Sequence, residues 1–339
     1  MITALAEGEA SIPVSVAGDT DDSGEEYERG MFGFFELRKA VGPKSASAFA
    51  AWLAVAPNIR RGSQTKEDSK LDYLCGLELD DCENLGDDGV AKILGALTGD
   101  TVTDVQAGGR GRLASQPSMK SLDDTTFVEQ QESISHSANY AILKYLYLDN
   151  TQAGELTAAA LAKYVKADEV AKTLEDIFIG HNPDIGAVIA VAIDALAETG
   201  ERLLLCGATL QLDELSLQAV SLTELAAASL IRFLSKRPWK LELLDISDND
   251  SLLDKQVADI VGGVNAGNVT CELLDLSCTN AGPLTAAALE TWLSANEARD
   301  AVYALEVLDV AENDDLHEAE LKQIRTAVPA GTAIDVIVV

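Results

Sequence analysis

The chain has 339 residues, of which 47% are hydrophobic, and 56 acidic against 25 basic side chains give it a net charge of -31. A charge this negative repels nucleic acid and anionic membranes, which excludes both as partners and favours a protein with a basic surface or segment. No uninterrupted apolar stretch reaches the length of a membrane span and no apolar segment follows a basic start, so we expect a cytoplasmic protein without a signal peptide.

The first 70 residues precede any repeated pattern. Residues 1–30 are acidic and rich in Ser and Gly, with little to bury, which predicts a flexible tail. Residues 31–60 carry enough apolar side chains for helices, and we expect 31–70 to form a helical N-terminal cap. Positions 38 to 70 contain seven basic side chains and only two acidic ones. This excess is either a solvated basic end beside the acidic tail or a docking patch.

The rest of the chain repeats one pattern, L-x-x-L-x-L-x-x-N/C/T, seven times, and the fourth match is looser because Val220 closes it. The matches begin at positions 74, 143, 174, 212, 241, 271 and 305, so the steps are 69, 31, 38, 29, 30 and 34 residues. The leucines of L-x-L alternate, so they point to one face of a short strand. The residue that closes each match turns the chain, and the closing residues are Cys82, Thr151, Asn182, Val220, Asn249, Thr279 and Asn313.

Alanine- and leucine-rich stretches at helical spacing follow the strands. Two of them, at 156–161 and 284–289, are near copies, and a third lies at 222–228. Small alanines allow a helix to lie close to a sheet. A single strand and helix cannot bury their apolar faces alone, whereas stacked units can. The pattern therefore predicts an α/β solenoid spanning 71–339.

Residues 100–140 account for the step of 69. They are rich in Gly, Ser, Thr, Gln and Asp, which predicts a loop inserted between repeats. The segment holds Gly108-Gly-Arg-Gly-Arg112, which lacks the Lys-Ser/Thr ending of a phosphate-binding loop and fits a linker better. At the other end of the chain, Ala333–Val339 predicts a last strand.

At these residues the chain resembles the ribonuclease-inhibitor-like subfamily of leucine-rich repeats, which includes Ran GTPase-activating proteins, tropomodulins and axonemal regulatory subunits. The resemblance implies a horseshoe with a parallel sheet on the concave face, helices on the convex face, and a place in a larger assembly, with the cytoskeleton or axoneme as possible settings. It also implies an alternative activity, Ran-type activation of a small GTPase through polar residues of strand-end loops. Asn150 and Asn182 lie at comparable positions.

Few residues suggest catalysis. The three histidines, His136, His181 and His317, are widely separated and match no metal-binding spacing. The five cysteines are odd in number and dispersed, which favours free thiols in a reducing compartment. We therefore predict a non-enzymatic interaction protein without a catalytic site, metal or cofactor.

The residues that alternate with the buried leucines should face the concave surface. On the early strands these are Tyr145, Tyr147 and Phe178, and exposed aromatic residues often anchor interfaces. On the late strands they are Leu243, Asp245, Leu273, Asp275, Val307 and Asp309. His181 follows a strand end and either faces the same surface or is simply exposed.

The three aspartates among them should stand in register, about 4.8 Å apart from strand to strand. Each adjacent pair would repel by roughly 1 kcal/mol in water. The ladder is either a solvated polar face that tolerates this cost or a site for a basic partner.

Overall fold

One parallel sheet and a layer of helices make up the described part of the chain. The computed structural model describes residues 33–36, 42–55, 74–98, 143–210, 212–236, 239–267, 269–295 and 305–338. Within these ranges nine strands pair in sequence order. They are β1 Gly33–Glu36, β2 Leu74–Glu78, β3 Tyr145–Tyr147, β4 Asp176–Phe178, β5 Glu214–Ser216, β6 Lys240–Asp245, β7 Thr270–Asp275, β8 Val307–Asp309 and β9 Asp335–Ile337.

A helix connects each strand to the next. The helices are α1 Pro43–Val55, α2 Gly86–Leu97, α3 Glu155–Val165, α4 Asp168–Ala171, α5 Ala190–Leu205, α6 Glu224–Ser235, α7 Asp254–Gly267, α8 Pro283–Ala295 and α9 Glu318–Ala327. Helices of neighbouring repeats pack side by side, and short 3-10 helices occur at Glu83–Leu85 and Pro183–Ile185.

The core lies between the sheet and the helices. From β2 to β8, the central apolar residue of each strand pairs with its counterpart on the next of these strands, and each is at most 1% exposed. These residues are Leu77, Leu146, Ile177, Leu215, Leu244, Leu274 and Leu308. Repeated strand–helix units that share a continuous core confirm the leucine-rich-repeat solenoid. We call the side of the sheet away from the helices the sheet face, which is the concave face in this fold.

The turn after each strand from β2 to β8 has a left-handed residue at the eighth position of the repeat. Its φ lies between 52° and 58° at Asp81, Asn150, His181, Ala219, Asp248, Cys278 and Glu312. A second left-handed residue follows two positions later only in alternate repeats, at Gln152, Ser221 and Asn280. The turns thus have a period of two repeats.

Buried asparagines explain this alternation. The Oδ1 of Asn313 accepts hydrogen bonds from the N–H groups of Thr279 at 2.9 Å and Ala281 at 2.8 Å. Its Nδ2 donates to the carbonyl oxygens of Leu276 and Val310. One side chain therefore closes its own turn and the turn of the preceding repeat. Asparagines at the same position of the repeat are Asn182 and Asn249.

The N-terminal cap combines a strand with a helix. The prediction of helix throughout 31–60 is wrong for Gly33–Glu36, which pairs in parallel with β2. The physical reason is that β2 would otherwise leave a row of backbone N–H and C=O groups unpaired. Helix was predicted correctly at Pro43–Val55, and α1 packs against α2 with Phe49 and Leu53 buried.

The inserted segment leaves the solenoid unbroken. The predicted loop at 100–140 and the acidic tail at 1–30 lie outside the described residues. On either side of the insertion, β2 and β3 pair directly, with Gly76 opposite Tyr145 and Leu77 opposite Leu146. The step of 69 residues is therefore one repeat plus an insertion, and the strand register continues across it.

Candidate protein-binding face

Two rows of side chains cross the sheet face from strand to strand. The first row follows the register Tyr147, Phe178, Ser216, Asp245, Asp275, Asp309. The second row follows the register Tyr145, Asp176, Glu214, Leu243, Leu273, Val307. The structure thus brings nine of the ten predicted binding residues together on one face. The tenth, His181, is exposed on the turn after β4 rather than on a strand.

The three aspartates of the first row are half-buried and have a structural role that the sequence analysis missed. Asp245 and Asp275 each accept a hydrogen bond of 2.9 Å from the N–H of the serine two residues later. Asp309 accepts the same bond from the N–H of Ala311. Burial raises the pKa of Asp275, and repulsion from Asp245 and Asp309 raises it further. The ladder therefore both shapes the strand ends and holds like charges close together.

An aromatic pair lies in the first row beside the aspartates. The rings of Tyr147 and Phe178 meet edge to face, with centroids 4.9 Å apart. The hydroxyl of Tyr147 donates to the Oδ2 of Asp176 at 3.0 Å. Burial and then the charge of Asp176 raise the pKa of the Tyr147 hydroxyl. The pair is fixed at one end by a hydrogen bond and leaves a partly exposed aromatic surface.

Further carboxylates on this face escaped the sequence analysis. Asp176 and Glu214 follow Tyr145 in the second row, and Asp80 and Asp149 lie just beyond the ends of β2 and β3. Burial is the main cause that raises the pKa of Asp176 to about 6 and that of Asp80 to about 7. On the early strands only the aromatic residues were selected, whereas taking the third and seventh positions of every repeat would have found all four.

A third row, made up of acidic side chains, runs along the N-terminal ends of the strands. It occupies the second position of five consecutive repeats, at Glu175, Asp213, Glu242, Glu272 and Glu306. Lys144 holds this position in the preceding repeat and forms an ion pair of 2.7 Å with Glu175. Acidic side chains therefore border the second row, in which Leu243, Leu273 and Val307 form an apolar strip.

The two asparagines of the GTPase-activating alternative differ in their surroundings. Asn182 is fully buried, and its amide contacts only backbone and hydroxyl groups of its own turn and the preceding one. Asn150 has a left-handed φ, and its Nδ2 donates to the carboxylates of Asp81 and Glu83 at 3.1 Å. Asn182 is therefore a structural residue.

The described ranges lack the features of two other kinds of site. They contain no group of three or more His, Cys, Asp or Glu side chains arranged to hold a metal ion. None of their helices combines the length and the apolar character needed to cross a membrane.

Comparisons with known proteins yield no family. No family model matches the chain, and no curated protein matches it. One similar solved structure is described as "Crystal structure of Rad7 and Elc1 complex in yeast", with 12% identity and a TM-score of 0.27 over 90% of this chain and 76% of that one. Because so low a TM-score supports no inference, the fold assignment rests on the strand pairing and core described above.

Proposed function

We propose that this chain is a non-enzymatic interaction subunit or scaffold whose sheet face binds a basic, extended segment of another protein. The observation that carries the proposal is the register of Asp245, Asp275 and Asp309, which aligns three carboxylates across consecutive strands. The proposal also takes up the resemblance to the ribonuclease-inhibitor-like repeats, whose concave face is an expected docking surface.

The electrostatics favour a cationic partner. Like charges on adjacent strands repel, and partial burial adds a cost to the charged form of Asp176 and Asp275. A lysine or arginine placed between two such carboxylates would replace repulsion by attraction. Complementary charge also speeds encounter and selects against acidic competitors. The net charge of -31 acts in the same direction over longer distances.

The apolar groups supply the anchor. Tyr147 and Phe178 are held in a fixed geometry on one half of the face, while Leu243, Leu273 and Val307 line the other half. Rigid aromatic groups contribute contact area at a small entropic cost, and interface energy concentrates on such residues. We infer that charge guides the segment and that the aromatic pair holds it.

The experiment is a titration with a defined probe. The probe is a peptide of alternating Lys and Ser, about 12 residues long, which spans about 40 Å when extended. The variant changes Asp245, Asp275 and Asp309 to Asn, because the amide oxygen can still accept the strand-end hydrogen bond. An exposed ion pair contributes about 0.2–1 kcal/mol, and the variant removes three carboxylates that could form one. We therefore expect the affinity for the probe to fall by about threefold to a hundredfold, and binding to depend less on salt.

A second triple variant controls for net charge. It changes Glu198 to Gln, Asp259 to Asn and Glu290 to Gln on the helices, which removes the same number of charges from another surface. We expect it to bind the probe nearly as the unmodified chain does. Equal affinity of the two triple variants would show that the probe responds to net charge alone, and the proposal would fail.

A further inference from the structure

A second ordered surface lies on the edge of the solenoid where the helices begin. Leu156, Leu225 and Leu284 are each the second residue of a helix, and Leu253 directly precedes one. Their exposed fractions are 43%, 60%, 54% and 65% in that order. A single exposed leucine is common on protein surfaces, but exposure at the same point of several repeats builds a row.

The leucines of three consecutive repeats lie on neighbouring turns. The N–H of Leu284 donates to the Oδ2 of Asp254 at 2.9 Å, and Asp254 directly follows Leu253. The hydroxyl of Ser251 donates to the carbonyl oxygen of Leu222 at 2.9 Å, which joins the turn before Leu253 to the turn before Leu225. Packed helices stand about 8–10 Å apart, so the three leucines should recur at about that spacing.

The borders of this row are acidic. The helix N-termini behind Leu156 and Leu284 are already capped by the carboxylates of Asp87 and Asp254. Exposed carboxylates also flank the leucines or their neighbouring turns, at Glu155, Asp184, Glu224 and Asp250. The nearby cation Lys255 forms an ion pair with Asp259. A partner with an apolar stripe bordered by basic groups is complementary to this edge in both respects.

We propose that this edge binds an amphipathic helix of another protein, with apolar residues about seven positions apart and Lys or Arg beside them. The spacing follows from the helix rise of about 1.5 Å per residue, which makes seven residues about 10 Å long. Residues seven apart also fall on one side of a helix, so a straight helix can place one anchor on each of Leu225, Leu253 and Leu284.

The probe for this surface is a helical peptide of about 21 residues, made of Lys and Ala with Leu at every seventh position. A second peptide has the same composition, with the leucines distributed around the helix. We expect the first peptide to bind about tenfold or more tightly than the second in fluorescence anisotropy. Equal binding of the two peptides would show that charge alone attracts them, and would overturn the proposal.

Variants of the chain locate the contact. Changing Leu225, Leu253 and Leu284 to Ser should abolish the difference between the two peptides. The matched control changes Leu204 and Leu205 to Ser, since these leucines are 54% and 88% exposed at the C-terminal end of α5. The control should bind like the unmodified chain. Unchanged binding by the triple Ser variant, with circular dichroism showing it folded, would contradict the proposal.

Two further outcomes separate this proposal from other readings of the same surface. If the unmodified chain self-associates in sedimentation and the Leu225, Leu253 and Leu284 variant does not, the row binds a second copy and the proposal is wrong. The variant with Asn at Asp245, Asp275 and Asp309 should still distinguish the two helical peptides. Loss of peptide binding at the sheet face would therefore leave the proposal for this edge unaffected. Likewise, loss of helix binding at this edge would leave the proposal for the sheet face unaffected.

Discussion

The buried asparagine of the third repeat provides the sharpest test of how the turns are held. Asn182 is 0% exposed. Its Oδ1 accepts the N–H groups of Thr151 at 3.0 Å and Ala153 at 2.9 Å. Its Nδ2 donates to the carbonyl oxygens of Leu148 at 2.7 Å and Ile179 at 3.0 Å. Changing Asn182 to Ala removes all these partners at once, in two adjacent repeats.

The expected loss follows from the groups left without a partner. An unsatisfied buried donor or acceptor costs about 1–3 kcal/mol, and the two N–H groups of Thr151 and Ala153 alone would cost about 2–6 kcal/mol. The carbonyl oxygen of Leu148 also accepts a hydrogen bond from the hydroxyl of Thr151. This carbonyl therefore keeps one partner in the variant, and it adds less to the loss of stability. We expect Asn182→Ala to lower the free energy of unfolding by about 3–5 kcal/mol.

Urea denaturation followed by circular dichroism measures this difference. The matched control is Asn84→Ala, because Asn84 is an exposed asparagine on the 3-10 helix Glu83–Leu85. The control should change the free energy of unfolding by no more than about 0.5 kcal/mol. If Asn182→Ala were as mild as the control, the asparagine would not hold the turns and the two-repeat period would need another explanation.

Three further predictions test packing, pH dependence and the insertion. Gly186→Ala should prevent folding or destabilise the folded chain by more than about 3 kcal/mol, because the new Cβ would lie 2.0 Å from the backbone oxygen of Val220. As the control, Gly262→Ala on α7 places its Cβ in open space and should stabilise the folded chain by about 0.5–1 kcal/mol in thermal melts. The folded pKa values of Asp80 and Asp176, about 7 and about 6, exceed the ordinary value of 3.8. The folded state therefore binds protons more strongly, and its stability should fall as pH rises from 4 to 7. A variant with both Asp80 and Asp176 changed to Asn should lose this dependence, and melting temperatures that fall equally in the variant would contradict this cause. Replacing 100–140 by a short Gly/Ser linker should preserve cooperative unfolding, since β2 and β3 pair directly, and a lost transition would show that the segment is structural.

Much of the fold could be predicted because the repeat states its geometry locally. The alternation of apolar residues sets the strand face, and the near-identical stretches at 241–246 and 271–276 set the register of Asp245 and Asp275, which the structure confirms. The last strand was also predicted, and the structure places it at Asp335–Ile337. These features depend on residues that are close together in the sequence, so the pattern of one sequence is enough to predict them.

The remainder depends on contacts between repeats. Gly33–Glu36 becomes a strand because β2 offers an unpaired edge, which no local pattern announces. The strand-end hydrogen bonds of Asp245 and Asp275 depend on a serine two residues later, a signal present in the sequence but overlooked. Asp80 and Asp149 hold the seventh position of their repeats, a second signal that is present in the sequence but was overlooked because they lie just beyond the strands.

Site-specific photo-cross-linking in a cell extract tests the central claim most directly. A photoreactive amino acid replaces Phe178 on the sheet face in one variant and Ala159, exposed on α3, in the other. The account predicts that the Phe178 variant forms the cross-linked product, and that mass spectrometry locates the bond in a partner segment rich in Lys and Arg. Cross-links formed only at Ala159, or bonds from position 178 to acidic segments, would contradict binding of a basic segment on the sheet face.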